Sequence, residues 1–171
     1  MNLWTWQTKG FNIDDPNIII NSREHSYYWN EPDKDREELE RFRKAYERLW
    51  KTLETEQILW CYTDKIKAEN AEGNDWCKNC VLFEMDVPEK SAKFYCDVAW
   101  YWILNGTKGN KCYPPQGVKP KFFREFHNYW QTKSEEELWD KLFLPHFVKD
   151  KDCVGAIIFP PVPNHTSKRI R

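Results

Sequence analysis

The segment DKDREELERFRKAYERLWKTL, Asp33 to Leu53, decides the fold class, because it carries the clearest helical period in the chain. Its apolar positions Leu39, Phe42, Tyr46, Leu49, Trp50 and Leu53 recur at three and four residues, the spacing that collects side chains on one face of an α-helix. The other face places Glu37 four residues before Arg41 and Glu40 four before Lys44. Pairs in that order stabilise an exposed helix by about 0.2–0.5 kcal/mol each, so the charges read as a solvated surface and not as a site.

Strands flank this helix on both sides. Leu3 to Gln7 is rich in β-branched and aromatic residues, and Ile18-Ile19-Ile20 follows the turn signal Asp14-Asp15-Pro16-Asn17. Gln57 to Tyr62 and Cys80 to Val87 read as two further strands, the second stopped by Pro88. Glu84 and Asp86 alternate with apolar neighbours there, so one face of that strand meets water or a cleft. Asp97 to Leu104 reads as a short helix, apolar nearly all round and therefore buried, closed by Asn105-Gly106. A helix is predicted from Pro120 to about Gln131. Ser134-Glu135-Glu136-Glu137 forms a capping box for another that ends near Pro145. Cys153 to Phe159 reads as a central strand halted by Pro160-Pro161, and Lys168 to Arg171 as a solvated tail or the end of a last strand. Strands and helices mix without βαβ alternation, which gives the α+β class, with a small mixed or antiparallel sheet packed by about four helices.

Composition sets the wider frame. A chain of 171 residues is about one domain long, enough to bury roughly 70% of the surface that its unfolded form exposes, and no repeat or Gly/Ser-rich linker divides it. We read residues 1–171 as a single domain. With 26 Lys plus Arg against 27 Asp plus Glu the formal net charge is −1, so there is no long-range attraction to phosphate backbones and nucleic acid is not expected as a partner. The opening Met1 to Trp6 lacks the basic and then apolar run of a signal peptide, and no window approaches eighteen uninterrupted apolar residues. This predicts a cytoplasmic protein without a membrane partner, in which the six cysteines are free thiols or metal ligands.

The feature that bears on function is tryptophan, ten in 171 residues, with Trp4-Thr5-Trp6 at the start and Trp100-Tyr101-Trp102 in the apolar helix. Each ring can bury on the order of 150–250 Å², so this investment builds either an aromatic core or the walls of a pocket. On a strand Leu3, Thr5 and Gln7 share one face and Trp4 and Trp6 the other, which lets Thr5 and Gln7 offer polar groups beside indoles, with Arg23 and His25 following. Trp100 and Asn105 are the matching candidates on the helix. A packed core explains the same residues, with Gln7 satisfied by backbone.

Other chemistries are weakly supported. Cys77-Lys78-Asn79-Cys80 has the spacing of two zinc thiolates, but a structural zinc site needs a second pair, and Cys96 and Cys112 are single. No metal site is expected. His25, His127, His146 and His165 are scattered, and six glycines leave little material for a phosphate cradle. Gly-x-Ser-x-Gly and Walker motifs do not occur, which disfavours serine hydrolase and P-loop chemistry.

Five segments carry a resemblance: LWTWQ at 3–7, FRKAYERLW at 42–50, VLFEMDVPE at 81–89, DVAWYWILN at 97–105 and ELWDKLF at 137–143. Together they resemble the bacterial family called domain of unknown function 3841, which has no established activity. The resemblance implies that Thr5, Gln7, Trp100 and Asn105 fall in recurrent segments of that family. The architecture is also similar to ADP-ribosyltransferase-like domains, which would imply NAD as the cofactor. Gln7 stands where such domains want a histidine, and a late glutamate is not identifiable, with Glu84 and Glu125 merely available.

The leading expectation is an aromatic-lined cleft that binds a nucleotide-like or other planar small molecule, with Trp4, Thr5, Trp6, Gln7, Arg23, Trp100 and Asn105 as ligand-binding residues. Stacking on such rings contributes about 1–3 kcal/mol per base. The alternative is a protein-interaction module, a regulator or inhibitor of a bacterial or phage protein, that uses an exposed aromatic patch. The burial of the indoles separates the two.

Overall fold

A computed structural model describes residues 1–13, 36–73, 80–105, 132–143, 154–160, 162 and 164–170. The predicted strand at 18–20, the predicted helix at 120–131, Arg23, Cys77, Cys112 and Glu125 lie outside the described residues.

The described chain forms β1 (Asn2–Thr8), α1 (Arg36–Leu53), β2 (Leu59–Tyr62), α2 (Lys65–Asn70), β3 (Cys80–Asp86), β4 (Ala92–Cys96), α3 (Asp97–Asn105), α4 (Glu135–Leu142), β5 (Val154–Ile158) and β6 (Thr166–Arg169). The strands make one six-stranded sheet in the order β4-β5-β2-β1-β3-β6. Every neighbouring pair is antiparallel. The α+β class therefore holds, with the antiparallel form of the two sheets expected. The strand read at 153–159 is interior to the sheet as β5, and the basic segment near the C-terminus pairs with β3 as β6.

Register sorts the sheet into two faces. Lys168, Glu84, Trp4, Tyr62, Gly155 and Tyr95 are successive cross-strand partners, one row that runs through all six strands. On the opposite face Leu3, Leu59, Cys61, Met85, Ala156 and Ile158 join Ile13, Val87 and Val162 in a buried cluster. Phe11 meets Phe83 edge-on at 5.3 Å.

The face that carries the row is covered by helices in two blocks. Over β1 and β3, Trp6 and Leu82 pack with Ala68 and Ala71 at α2. Over β2, β5 and β4, Trp60, Tyr95 and Ile157 pack with Phe42, Tyr46, Leu49 and Trp50 of α1, with Val98 to Leu104 of α3, and with Leu138, Trp139 and Leu142 of α4. α3 is buried nearly all round, as its composition predicts. α4 begins in the expected capping box: the Glu137 N–H donates to the Ser134 hydroxyl at 3.3 Å and the Ser134 N–H to the Glu137 carboxylate at 2.8 Å. Of the two ion pairs read on α1, Glu40 and Lys44 stand 3.7 Å apart. Arg41 instead reaches α3, donating from Nε to the Leu104 carbonyl at 2.6 Å, where the helix has unsatisfied acceptors.

α1 and α4 are clamped at the surface. Arg48 donates to both carboxylate oxygens of Glu136 at 2.7 and 2.6 Å and lies over the Trp139 ring at 4.6 Å. The guanidinium holds the Glu136 carboxyl below its ordinary 4.5. A depressed carboxyl stabilises the fold at pH values above its unfolded pKa, and that contribution is lost as pH falls through the lower, folded value. Glu136→Gln is expected to remove this part of the acid dependence while leaving the remainder, measured as urea midpoints between pH 7 and pH 3.

Gly155 is the row's one position without a side chain, and the Tyr95 ring fills the space above it. A Cβ at Gly155 would overlap three atoms of that ring, whereas one at Gly10 would meet nothing within 4 Å. Gly155→Ala should therefore cost about 1–3 kcal/mol, the range for overpacking. Gly10→Ala should stay within about 0.5 kcal/mol, as surface changes do. Equilibrium urea denaturation of both variants checks the contrast.

Candidate functional site

The two helical blocks meet along the row Trp4-Tyr62-Gly155-Tyr95. Trp4 and Tyr62 pack against the α2 block, and Trp60 and Tyr95 belong to the larger one. Trp4 and Tyr62 are direct cross-strand partners, and Trp60 lies two residues from Tyr62 on the same face. Trp4, Trp60 and Tyr62 are each half-buried. They form a strip of partly accessible rings between two sealed clusters, which we call the seam.

The larger block is an aromatic stack. Trp60 and Trp100 lie face to face at 5.3 Å with 26° between planes, and Tyr95 meets Trp60 edge-on at 4.8 Å. Tyr46 and Trp139 approach Trp100 edge-on at 5.3 and 6.1 Å. Pairs in these geometries add about 0.5–1.5 kcal/mol beyond the area they bury.

Polar groups cross the seam. Lys67 of α2 forms an ion pair with Asp97 at the start of α3, their side chains 13% and 23% exposed. The Tyr95 hydroxyl lies near Asp97, and its pKa is raised well above its usual value chiefly by burial and then by the neighbouring carboxylate. α2 is capped at its N-terminus by Asp64, which accepts from the Lys67 backbone N–H at 2.9 Å. Trp6 anchors the same helix by donating from its indole N–H to the Ala68 carbonyl at 2.8 Å. In contrast, the indole N–H groups of Trp4 and Trp60 are buried without a hydrogen-bond partner. Buried donors of this kind are uncommon in native proteins.

The sequence candidates divide between these surroundings. Trp4 lies in the seam. Trp6 and Trp100 are buried in the two blocks, with Trp102 beside the latter. Thr5 and Gln7 are on the opposite sheet face, where Thr5 is 1% exposed. Its hydroxyl donates to the Trp60 carbonyl at 2.9 Å and accepts from Gln7 Nε2 at 3.1 Å. Asn105 ends α3. Glu84, on the strand face read as meeting water or a cleft, accepts from Asn2 at 3.1 Å and pairs with Lys168 at 3.0 Å. Cys80 is half-buried, with its thiol pKa raised by burial. Burial likewise raises Cys61, and Cys96 to about 11, which makes both poor nucleophiles at neutral pH. No group of three metal-ligating side chains occurs among the described residues.

Sequence reasoning missed Trp60, Tyr62, Lys67 and Tyr95. Alternation within Leu59 to Tyr62 does put Trp60 and Tyr62 on one face, but their neighbours across the sheet are set by register. Lys67 sits in a six-residue helix, too short for a periodic signal.

Two surface cavities are lined by α1 and not by the seam. One of about 310 Å³ is lined by Glu37, Glu40, Arg41, Lys44, Ala45, Ile103 and Glu135. The other, of about 420 Å³, is lined by Glu47, Trp50, Lys51, Glu54, Thr55 and Glu56. Both are mainly charged. Among the described residues the large exposed hydrophobic is Ile66, 66% accessible, so they form no exposed aromatic patch. No described helix is long and apolar enough to cross a membrane. Searches with the sequence and the structure match no family model, no curated protein and no solved structure.

Thr5 provides a direct test of a structural role. Thr5→Val would leave a buried polar environment short of a donor and an acceptor, at a cost of about 1–3 kcal/mol. Thr5→Ser should keep both hydrogen bonds and most of the stability. The difference between their urea midpoints is the measurement.

Proposed function

We propose that the protein binds a planar small molecule, nucleotide-like in its ring system, along the seam between the two helical blocks. One observation carries the reading: two indole N–H donors, from Trp4 and Trp60, are shielded from solvent on the same sheet face and have no acceptor. A flat heteroaromatic ligand offers what these groups lack, a π-face for the half-buried rings and ring nitrogens or carbonyls for the N–H groups. The donors are covered, so binding includes a small outward movement of the Trp4 and Tyr62 rings.

The reading is one of binding and not of turnover. Among the described residues the carboxylates at the seam are Asp97 and the row's Glu84, and they are already paired with Lys67 and Lys168. NAD enters as one member of the ligand class, and the transfer chemistry of ADP-ribosyltransferase-like domains is not part of the proposal. We also propose membership of domain of unknown function 3841 on the five segments quoted above. That family brings no activity, so the ligand argument stands on the seam alone.

The test is a panel of adenosine, AMP, NAD and flavin, followed by tryptophan fluorescence and thermal midpoint, since a ligand that binds the folded state raises the midpoint by mass action. At least one compound is expected to do both. Trp4→Phe and Trp60→Phe keep a ring but remove the N–H, and each should weaken that compound by about tenfold, the worth of a hydrogen bond made in a desolvated site. A flat panel, or full affinity in both variants, would refute the reading.

A further inference from the structure

We infer that the ligand of the seam carries a negative charge beside its planar ring, and that Lys67 recognises it. The inference rests on the binding reading above and names the substrate class of the same site.

The unsatisfied polar hydrogens of the seam all belong to donors. The Trp4 and Trp60 indoles contribute one each. Lys67 contributes more, because an ammonium has three N–H bonds and Asp97 takes it through one oxygen. That ammonium is nearly enclosed, its side chain 13% exposed. Asp97 balances the charge of the ammonium but leaves N–H bonds of it for a second acceptor. The carboxylates beside these donors, Asp97 and the row's Glu84, are each already engaged by a lysine, Lys67 and Lys168. A complementary molecule must therefore be rich in acceptors, and it gains most when one of them is ionised, since charge-assisted hydrogen bonds are roughly twice as strong as neutral ones.

Lys67 also stands in the right place. It projects from α2, the helix that covers Trp6 and packs beside Trp4 and Tyr62, toward Asp97 at the start of α3 in the larger block. An anionic group at Lys67 would leave the attached ring over the Trp4-Tyr62 side, where the platform is partly open. The same chemistry is offered by a nucleoside phosphate and by an aromatic carboxylate. Both are planar rings with an anion a few bonds away.

Matched pairs separate the two sources and separate charge from ring. Isothermal calorimetry with AMP against adenosine, and with 2-naphthoate against 2-naphthamide, measures the effect of the anion on each ring. In at least one pair the anion is expected to bind about tenfold tighter or better, and the pair that shows it names the source. Lys67→Met should abolish this difference while leaving the neutral compound's affinity intact, and Lys67→Arg should restore part of it. Asp97→Asn removes the competing carboxylate and should tighten the anion alone. Equal affinities within both pairs, with a neutral compound still bound, would overturn the inference and leave the planar-ligand reading in place. Loss of anion and neutral compound alike in Asp97→Asn, with the fold intact by circular dichroism, would also overturn it. Absence of binding by all four compounds would overturn the inference, and a flat response to NAD and flavin as well would overturn the planar-ligand reading with it.

Discussion

The packing of the Tyr95 ring on Gly155 is the constraint on which the rest of the helix face depends. The two residues are direct partners in the register of β4 and β5, and the ring occupies the space that any other side chain at 155 would need. That placement leaves the Tyr95 hydroxyl near Asp97, the first residue of the apolar helix. It also presents the ring edge to Trp60, which carries Trp100 on its other face. A glycine in an interior strand is usually a weakness, tolerated where something must approach the backbone closely. Here the approaching group is the ring that ties sheet to helix.

The two faces of the sheet solve burial differently. Behind the row, Leu3, Leu59, Met85, Ala156 and Ile158 make an apolar layer in which the buried Thr5 hydroxyl is satisfied as both donor and acceptor. On the helix face the apolar cover is split between α2 and the larger block, and the split is filled by half-buried rings and an ion pair. A largely enclosed ion pair contributes little to stability compared with apolar groups of the same volume, because desolvation offsets most of the attraction. Lys67 and Asp97 are therefore better understood by where they are than by what they add to the fold.

Much of the architecture was legible in the sequence. The three- and four-residue period of Phe42, Tyr46, Leu49 and Trp50 gave α1 and its buried face, the run from Val98 to Leu104 gave a helix buried on nearly all sides, and Ser134 with Glu137 gave the start of α4. β4 was missed because Ala92-Lys93-Phe94-Tyr95-Cys96 is too short and mixed to show a clean alternation, and its strand character comes from pairing with β5. α2 was missed for a related reason, as six residues hold less than two turns and only the Asp64 cap marks them.

The candidate site was legible only in part, and the reason is register. Alternation along β1 correctly separates Trp4 and Trp6 from Thr5 and Gln7, but it does not say which of the two faces receives helices. The choice went against Thr5 and Gln7 as residues of the seam, because a hydroxyl and an amide that bond each other and the backbone can be enclosed at low cost. Indoles cannot be closed in so simply: Trp6 reaches a carbonyl, while Trp4, one step along the same face, has none in range. Residues 57 to 67 and 92 to 97 supply the rest of the seam, and they lie far from β1 in the chain. Their convergence on Trp4 follows from pairings among four strands, information that no local pattern of residues contains.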